Sequence, residues 1–249
     1  MSDTSVERAF AILETFERER RPLSMKELAD TCRIPASTCH SLVHTLLKRS
    51  YLYQTGRRKD LYPTRRLHDL GAVILAHDPV LQRLEPAMQA LRDATRETVI
   101  LGKRQKDGIL YLEVIEGPEV IRYSARPGDT KPLHSTSIGK ALLSAMKDQD
   151  LRSMLLESSL ERVTGTTITE AEALLNDIAD GRGQGCFITR GENVPDVTAM
   201  AVPIAVNHEL FGLAVAGPSH RMDARDAEIR AALLETRDSL LDQGLVGNC

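Results

Sequence analysis

The stretch Ile34-Pro35-Ala36-Ser37-Thr38-Cys39-His40-Ser41-Leu42-Val43-His44-Thr45-Leu46-Leu47-Lys48 decides how the first part of the chain reads. Cys39, Leu42, Val43, Leu46 and Leu47 recur at i, i+3, i+4, i+7 and i+8, a complete apolar stripe for one side of a helix. At ~100° per residue, Ser37, His40, Ser41, His44 and Lys48 fall on the opposite side, with Thr38 and Thr45 at its edge. Pro35 suits the first position of that helix, because proline has no amide hydrogen to lose there.

The neighbouring segments extend the pattern. Upstream, Ser24-Met25-Lys26-Glu27 is a capping box that predicts a short helix with Leu28, Ala29 and Cys32 inside. Arg33-Ile34-Pro35 is the turn between the two helices. Further upstream, Val6, Ala9, Phe10, Leu13 and Phe16 share one helical face over 5–17, and Arg20-Arg21-Pro22 ends it. Downstream, 51–54 and 61–64 are strand candidates around the loop Thr55-Gly56-Arg57-Arg58-Lys59-Asp60.

Three helices and a basic-tipped hairpin predict a winged helix-turn-helix over 1–64. Residues 65–78 read as a helical linker, with a domain boundary at Asp78-Pro79. Short hydroxyls and imidazoles on the third helix can approach base edges, and Lys48 can meet a phosphate. The DNA-contact candidates are Ser37, Thr38, His40, Ser41, His44, Thr45, Lys48 and the wing residues Arg57, Arg58 and Lys59. A small bundle with a solvated face would carry the same stripe. His40 and His44 could simply face solvent, and the wing cations could simply solubilise a turn.

Charge supports two jobs. Over residues 1–70 there are 13 Lys/Arg and 9 Asp/Glu, whereas the remainder carries 19 and 26. The formal net charge of −3 thus hides a basic start that can meet a polyanion and an acidic body that would not. With 249 residues, 42% hydrophobic and 27% charged, the composition excludes disordered and collagen-like chains. No run approaches the ~18 apolar residues of a membrane span. Met1-Ser2-Asp3-Thr4 lacks a basic or apolar leader, so the expected location is the cytoplasm. Cys32, Cys39, Cys186 and Cys249 form no C-x-x-C pair and read as free thiols, so no metal is expected.

The body, 79–249, begins with an amphipathic helix over about 80–95. Strand candidates follow near 97–104, 109–116 and 120–125, with a turn at Pro127-Gly128-Asp129. Helical patterns cover 137–146, 148–157 and 169–181, broken by Gly181, Gly183 and Gly185. Two more strands, near 198–207 and 210–217, precede a helix over about 223–242 with Ile229, Leu233 and Leu240 inward. Strands mixed with helices predict an α+β domain on a mostly antiparallel sheet.

Within the body, Leu133-His134-Ser135-Thr136-Ser137-Ile138-Gly139-Lys140-Ala141-Leu142-Leu143 is the segment suited to a ligand. Hydroxyls and a glycine at a helix start favour a carboxylate, and Lys140 would add a nearby charge; a plain structural cap reads the same way. A phosphate-binding P-loop is excluded, because position 134 is His and position 141 is Ala. Cofactors are not expected.

These segments together resemble the IclR family of bacterial transcriptional regulators. The resemblance spans nearly the whole chain. It rests on Ser5-Val6-Glu7-Arg8-Ala9, on Leu23 to Ala29, on Ile34 to His40 and on Tyr51-Leu52. In the body it rests on Leu133 to Leu143, Ala199-Met200-Ala201-Val202-Pro203-Ile204 and Gly212-Leu213-Ala214-Val215-Ala216-Gly217-Pro218.

The resemblance implies a winged helix followed by a GAF-like effector-binding and oligomerisation domain. It also implies a dimer or dimer of dimers on a palindromic operator in double-stranded DNA, and a small organic acid as effector. It places helix-start contacts at Ser137, Ile138 and Gly139, a strand contact at Ala199, and two further contacts at Ala214 and Ala216, which are serines in several acid-sensing relatives. The family often has Arg after the helix His, where this chain has Ser41. Thr189-Arg190-Gly191-Glu192 replaces an acidic run, and Arg190 either pairs an anion or faces solvent. Alanine at 214 and 216 leaves an apolar wall, which implies an effector with an acidic group and an apolar or aromatic body.

An enzyme or a ligand-free scaffold is the competing class. Cys186 has no neighbouring histidine, Gly-x-Ser-x-Gly is absent, and His134 beside Ser135 and Ser137 has no aspartate in a recognisable role. No enzymatic activity is expected.

Overall fold

The computed structural model describes residues 4–106 and 108–247; Met1-Ser2-Asp3, Asp107, Asn248 and Cys249 lie outside them. The chain divides into two compact units, 1–78 and 79–249.

The first unit holds α1 (Ser5–Glu19), α2 (Met25–Thr31), α3 (Ala36–Lys48), a hairpin of β1 (Leu52–Thr55) and β2 (Asp60–Pro63), and α4 (Arg66–Ala76). The Ser24/Glu27 capping box forms as expected: the Ser24 amide donates to Glu27 Oε2 at 2.8 Å, and the Glu27 amide to Ser24 Oγ at 3.3 Å. A second box, Thr4/Glu7, starts α1. Pro35 stands one position earlier than expected, as the N-cap of α3, with no side-chain cap. Ile12, Phe16, Leu28, Cys39, Val43, Leu52 and Leu61 close one small core. The wing is tied back to the segment before α2 by reciprocal Leu23–Leu61 amide bonds of 3.1 and 2.8 Å.

The second unit follows as α5 (Leu81–Thr95), β3 (Thr98–Gln105), β4 (Gly108–Ile115), β5 (Thr130–Pro132), α6 (Ser137–Leu143), α7 (Asp148–Glu157) and α8 (Ala171–Gln184). Then come β6 (Phe187–Arg190), β7 (Val197–Val206), β8 (Glu209–Pro218), α9 (Ser219–Ala224) and α10 (Asp226–Asp242). The sheet is antiparallel throughout, in the order β5-β4-β3-β8-β7-β6.

Three expectations are corrected. Residues 120–125 form an extended loop, and the neighbouring strand is the short β5. The helix at 169–181 runs through Gly181 and Gly183 and stops only at Gly185, in the left-handed conformation at φ +68°. Gly181 lies against Phe187, where a side chain would strike the ring. The last helix is split at Arg225 into α9 and α10.

Period-two alternation builds the two cores. Val99, Leu101, Leu213 and Val215 face α5 and α10, meeting Leu84, Met88, Leu91, Ile229 and Leu233. Ile100, Ala201, Ala214 and Ala216 face the other way, toward α6, α7 and α8. That second face is made of small residues near the sheet centre. A Cβ on Gly212 would lie 2.6 Å from Ile138 Cγ2, and one on Gly102 3.1 Å from Ile138 Cδ1, so these two glycines let α6 settle closely on the sheet.

Candidate DNA-reading surface and ligand cavity

On α3, Cys39 and Val43 are fully buried, while Leu42, Leu46 and Leu47 are half-buried. Ser37, His40, Ser41, His44, Thr45 and Lys48 are exposed together and Thr38 is half-buried, which is the division that the helical period dictates. Thr45 spends its hydroxyl hydrogen on the Ser41 carbonyl at 3.0 Å. Arg57, Arg58 and Lys59 are exposed at the hairpin tip, where Gly56 (φ +67°) and Lys59 (φ 56°) make the turn.

In the second unit, a cavity with about 390 Å³ of unfilled space lies between α6 and the sheet. It is a narrow slot whose walls stand too close for a ring. Its floor follows from strand register. Ala216 pairs with Ala199, and Ala199 with Thr189, so one row across β8, β7 and β6 presents methyls and a hydroxyl upward. Ala214 and Ile100, also paired, form the next row. Thr136, Ser137 and Ile138 close one side; Asn193, Val194 and Val197 close another. Tyr111 from β4 and Tyr123 from the 116–125 loop complete it. That loop is pinned to β3, since Thr98 Oγ1 donates to the Tyr123 carbonyl at 2.5 Å and accepts from the Gly117 amide at 3.2 Å.

The start of α6 is rigid. Thr136 Oγ1 accepts the Gly139 amide at 3.1 Å and donates to the Pro132 carbonyl at 3.1 Å. Gly139 is required because a Cβ there would collide with the Leu133 carbonyl oxygen. Ser135 Oγ is buried beside this turn with no protein partner. Tyr111 and Tyr123 hydrogen-bond to each other through their hydroxyls; burial is the main cause holding both phenols above the usual tyrosine range. The lining therefore offers hydroxyls, an amide and methyl groups, and no carboxylate, amine, imidazole or thiol.

Ser137, Ile138, Ala199, Ala214 and Ala216 meet in this slot. Gly139 supports it from behind without lining it. Two expectations fail. Arg190 is exposed and turned to Asp226 (3.0 Å) and Asp223 (3.5 Å), away from the cavity lining. Lys140 supplies no charge to the slot: its ammonium is fully buried between Asp177 and Glu192, each at 2.8 Å. Sequence reasoning missed Tyr111, Tyr123, Thr189, Asn193, Val194 and Val197. The signal for Thr189 was strand pairing with Ala199; for Tyr111 and Tyr123 it was the placement of two tyrosines outside the wing.

Among the described residues, no group of three or more His, Cys, Asp or Glu is placed to hold a metal, and no helix is long and apolar enough to cross a membrane.

A winged helix carrying an exposed polar reading face, joined to an α+β unit with an internal cavity, defines a ligand-responsive DNA-binding regulator. The chain belongs to the IclR family. The model of the IclR helix-turn-helix domain matches residues 5–56, and that of the bacterial transcriptional regulator IclR C-terminal domain matches 72–240. The regulator BhcR of Paracoccus denitrificans is 32% identical over 223 residues, 88% of this chain and 79% of that protein. The regulator KdgR of Escherichia coli K12 is 31% identical over 241 residues, 94% and 90% of the two chains. An IclR homologue from Microbacterium hydrocarbonoxydans, solved with 4-hydroxybenzoate, superposes with a TM-score of 0.72 at 24% identity, covering 96% of this chain and 100% of that one.

Proposed function

We propose that this protein controls transcription in the cytoplasm by binding a palindromic operator, and that a monocarboxylic acid with an apolar or aromatic body sets its affinity. One observation carries the ligand class: the slot is floored chiefly by the methyls of Ala199, Ala214 and Ala216, with the hydroxyls of Thr189, Thr136, Ser137, Tyr111 and Tyr123 around them. A two- or three-carbon acid would leave those methyls facing empty space. A ring lying flat on them would bury apolar area, with its carboxylate at Ser137 and Ile138 and a polar substituent at the Tyr111–Tyr123 pair. The 4-hydroxybenzoate bound to the Microbacterium homologue supports the same chemistry. The slot is too narrow to admit a ring without movement, so binding includes an opening of the adjacent 191–196 or 116–125 loop.

Ser37, Thr38, His40, Ser41, His44 and Thr45 are assigned to base edges and nearby phosphates, and Lys48, Arg57, Arg58 and Lys59 to the DNA backbone. The protein acts as a homodimer or a dimer of dimers, because a palindrome needs two reading helices. An apolar groove of Val6, Ala9, Phe10, Leu13, Leu46 and Leu70 on the first unit, beside the exposed Val73, Ile74 and Leu75 of α4, supports a self-association surface there. The slot lacks a nucleophile–base pair, which favours binding over catalysis.

Titration calorimetry over benzoate, 4-hydroxybenzoate, pyruvate and glyoxylate tests the ligand class. Aromatic acids binding at least tenfold more tightly is the expected result. Tight glyoxylate binding with no response to aromatic acids overturns it.

A further inference from the structure

A second cavity in the same unit, with about 850 Å³ of unfilled space including its open mouth, lies on the other side of the β5–α6 connection. Leu133 and His134 face this cavity, whereas Thr136, Ser137 and Ile138 line the slot. A single short turn therefore separates the two spaces.

The lining is mixed: Leu133, Leu143, Met154, Leu155 and Leu160 supply its apolar part, beside Glu157 and two serines. One cation stands over them. Arg104 sends Nη2 to Met154 Sδ at 3.3 Å and Nη1 to Met146 Sδ at 3.7 Å, and its Nε to the Lys106 carbonyl at 3.4 Å. Thioether sulfur is a weak acceptor, and among the described residues neither terminal nitrogen of the guanidinium has an oxygen partner. Among the described residues no carboxylate lies within ion-pair distance of it, although Glu157 sits on the cavity rim. Arg96, Arg152, Arg182 and Arg221 of the same unit, by contrast, each hold a carboxylate. Two of the other polar groups at the rim are engaged within the protein. His134 Nε2 is 2.9 Å from the Glu161 carbonyl, and Ser158 Oγ donates to the Met154 carbonyl at 2.7 Å.

A planar cation whose paired donors meet only sulfur, above a space partly lined by leucines, can hold the carboxylate of a hydrocarbon-chain acid. The carboxylate would replace two sulfur contacts by a bidentate charge-assisted pair, and the chain would cover the leucines. We propose that this cavity is a second ligand site, for a medium-chain aliphatic monocarboxylate, bound independently of the slot.

Octanoate is the probe, titrated calorimetrically into the full-length protein and into Arg104→Gln and Ala199→Leu. Arg104 is exposed, so its replacement is compatible with folding, which an unchanged thermal unfolding midpoint verifies. Ala199→Leu fills the slot and leaves the second cavity intact. The expected result is one octanoate per chain, equal affinity in wild type and Ala199→Leu, at least tenfold weaker binding in Arg104→Gln, and much weaker binding of octanol to wild type. The proposal is overturned if wild type does not bind octanoate, if Arg104→Gln binds it as well as wild type, if octanol binds equally, or if Ala199→Leu abolishes binding. The last result would place octanoate in the slot and would leave the reading of the slot standing.

Discussion

Lys140, on α6, buries its ammonium completely and sets Nζ 2.8 Å from Glu192 Oε1, so the helix that walls the slot is bolted to the loop that closes it. Glu192 Oε2 has no partner, and Thr167 Oγ1 holds the Glu192 carbonyl at 2.7 Å. Burial pushes the Glu192 carboxyl up, and the Lys140 charge pulls it back down.

Lys140→Met removes the cation and leaves a buried carboxylate uncompensated. Loss of one partner of a buried pair costs about 3–5 kcal/mol, and denaturant unfolding at neutral pH should read a loss of that order. The pH dependence has a definite sign. With its folded pKa above its unfolded one, Glu192 favours the folded state below the ordinary carboxylate range, and that contribution disappears as pH rises through the folded value. The deficit of Lys140→Met relative to wild type should therefore shrink as pH falls from 7 toward about 4.5. Glu192→Gln should cost less than Lys140→Met, because Asp177 still faces the ammonium. A pH-independent deficit would place the loss elsewhere.

The methyl floor makes a second prediction. Ala214→Ser and Ala216→Ser add buried hydroxyls that an apolar ring cannot satisfy, a cost of about 1–3 kcal/mol. Aromatic-acid affinity should fall roughly 5- to 150-fold, while short oxo acids gain. Calorimetry on the two variants checks both directions.

Much of this was legible from residues alone. The α3 stripe was complete because a reading helix needs one face in the core and the other free, and a period of 3.6 records that division. The slot was only half legible. Ser137, Ala199, Ala214 and Ala216 lie in patterned segments, but Tyr123 sits in a loop with no period and reaches the slot because Thr98 holds its backbone. The role of Lys140 was misread for a similar reason: its partners Asp177 and Glu192 are 37 and 52 residues away, a tertiary fact that no local pattern carries.

On the first unit, Lys48→Ala and Arg58→Ala should weaken operator binding at every sequence. Each should reduce the slope of log affinity against log salt by about 1, since one phosphate contact is lost. Ser41→Arg should instead change base preference while leaving acid affinity untouched. Fluorescence anisotropy across a salt series separates these effects.

Self-association depends in this account on the exposed apolar groove. Phe10→Asp, at a position 60% exposed in the single chain, should unfold nothing yet shift sedimentation toward monomer and weaken operator binding. An unchanged oligomer would move the interface elsewhere.

The most direct measurement is an anisotropy titration of the full-length protein with DNA from upstream of its own gene, at low ionic strength, with and without 4-hydroxybenzoate. The expected result is binding that is steeply salt-dependent and that changes by about 5- to 150-fold with the acid, the acid effect being absent in Ala199→Leu. DNA affinity that is undetectable, or that stays the same with every aromatic acid tried, would contradict it.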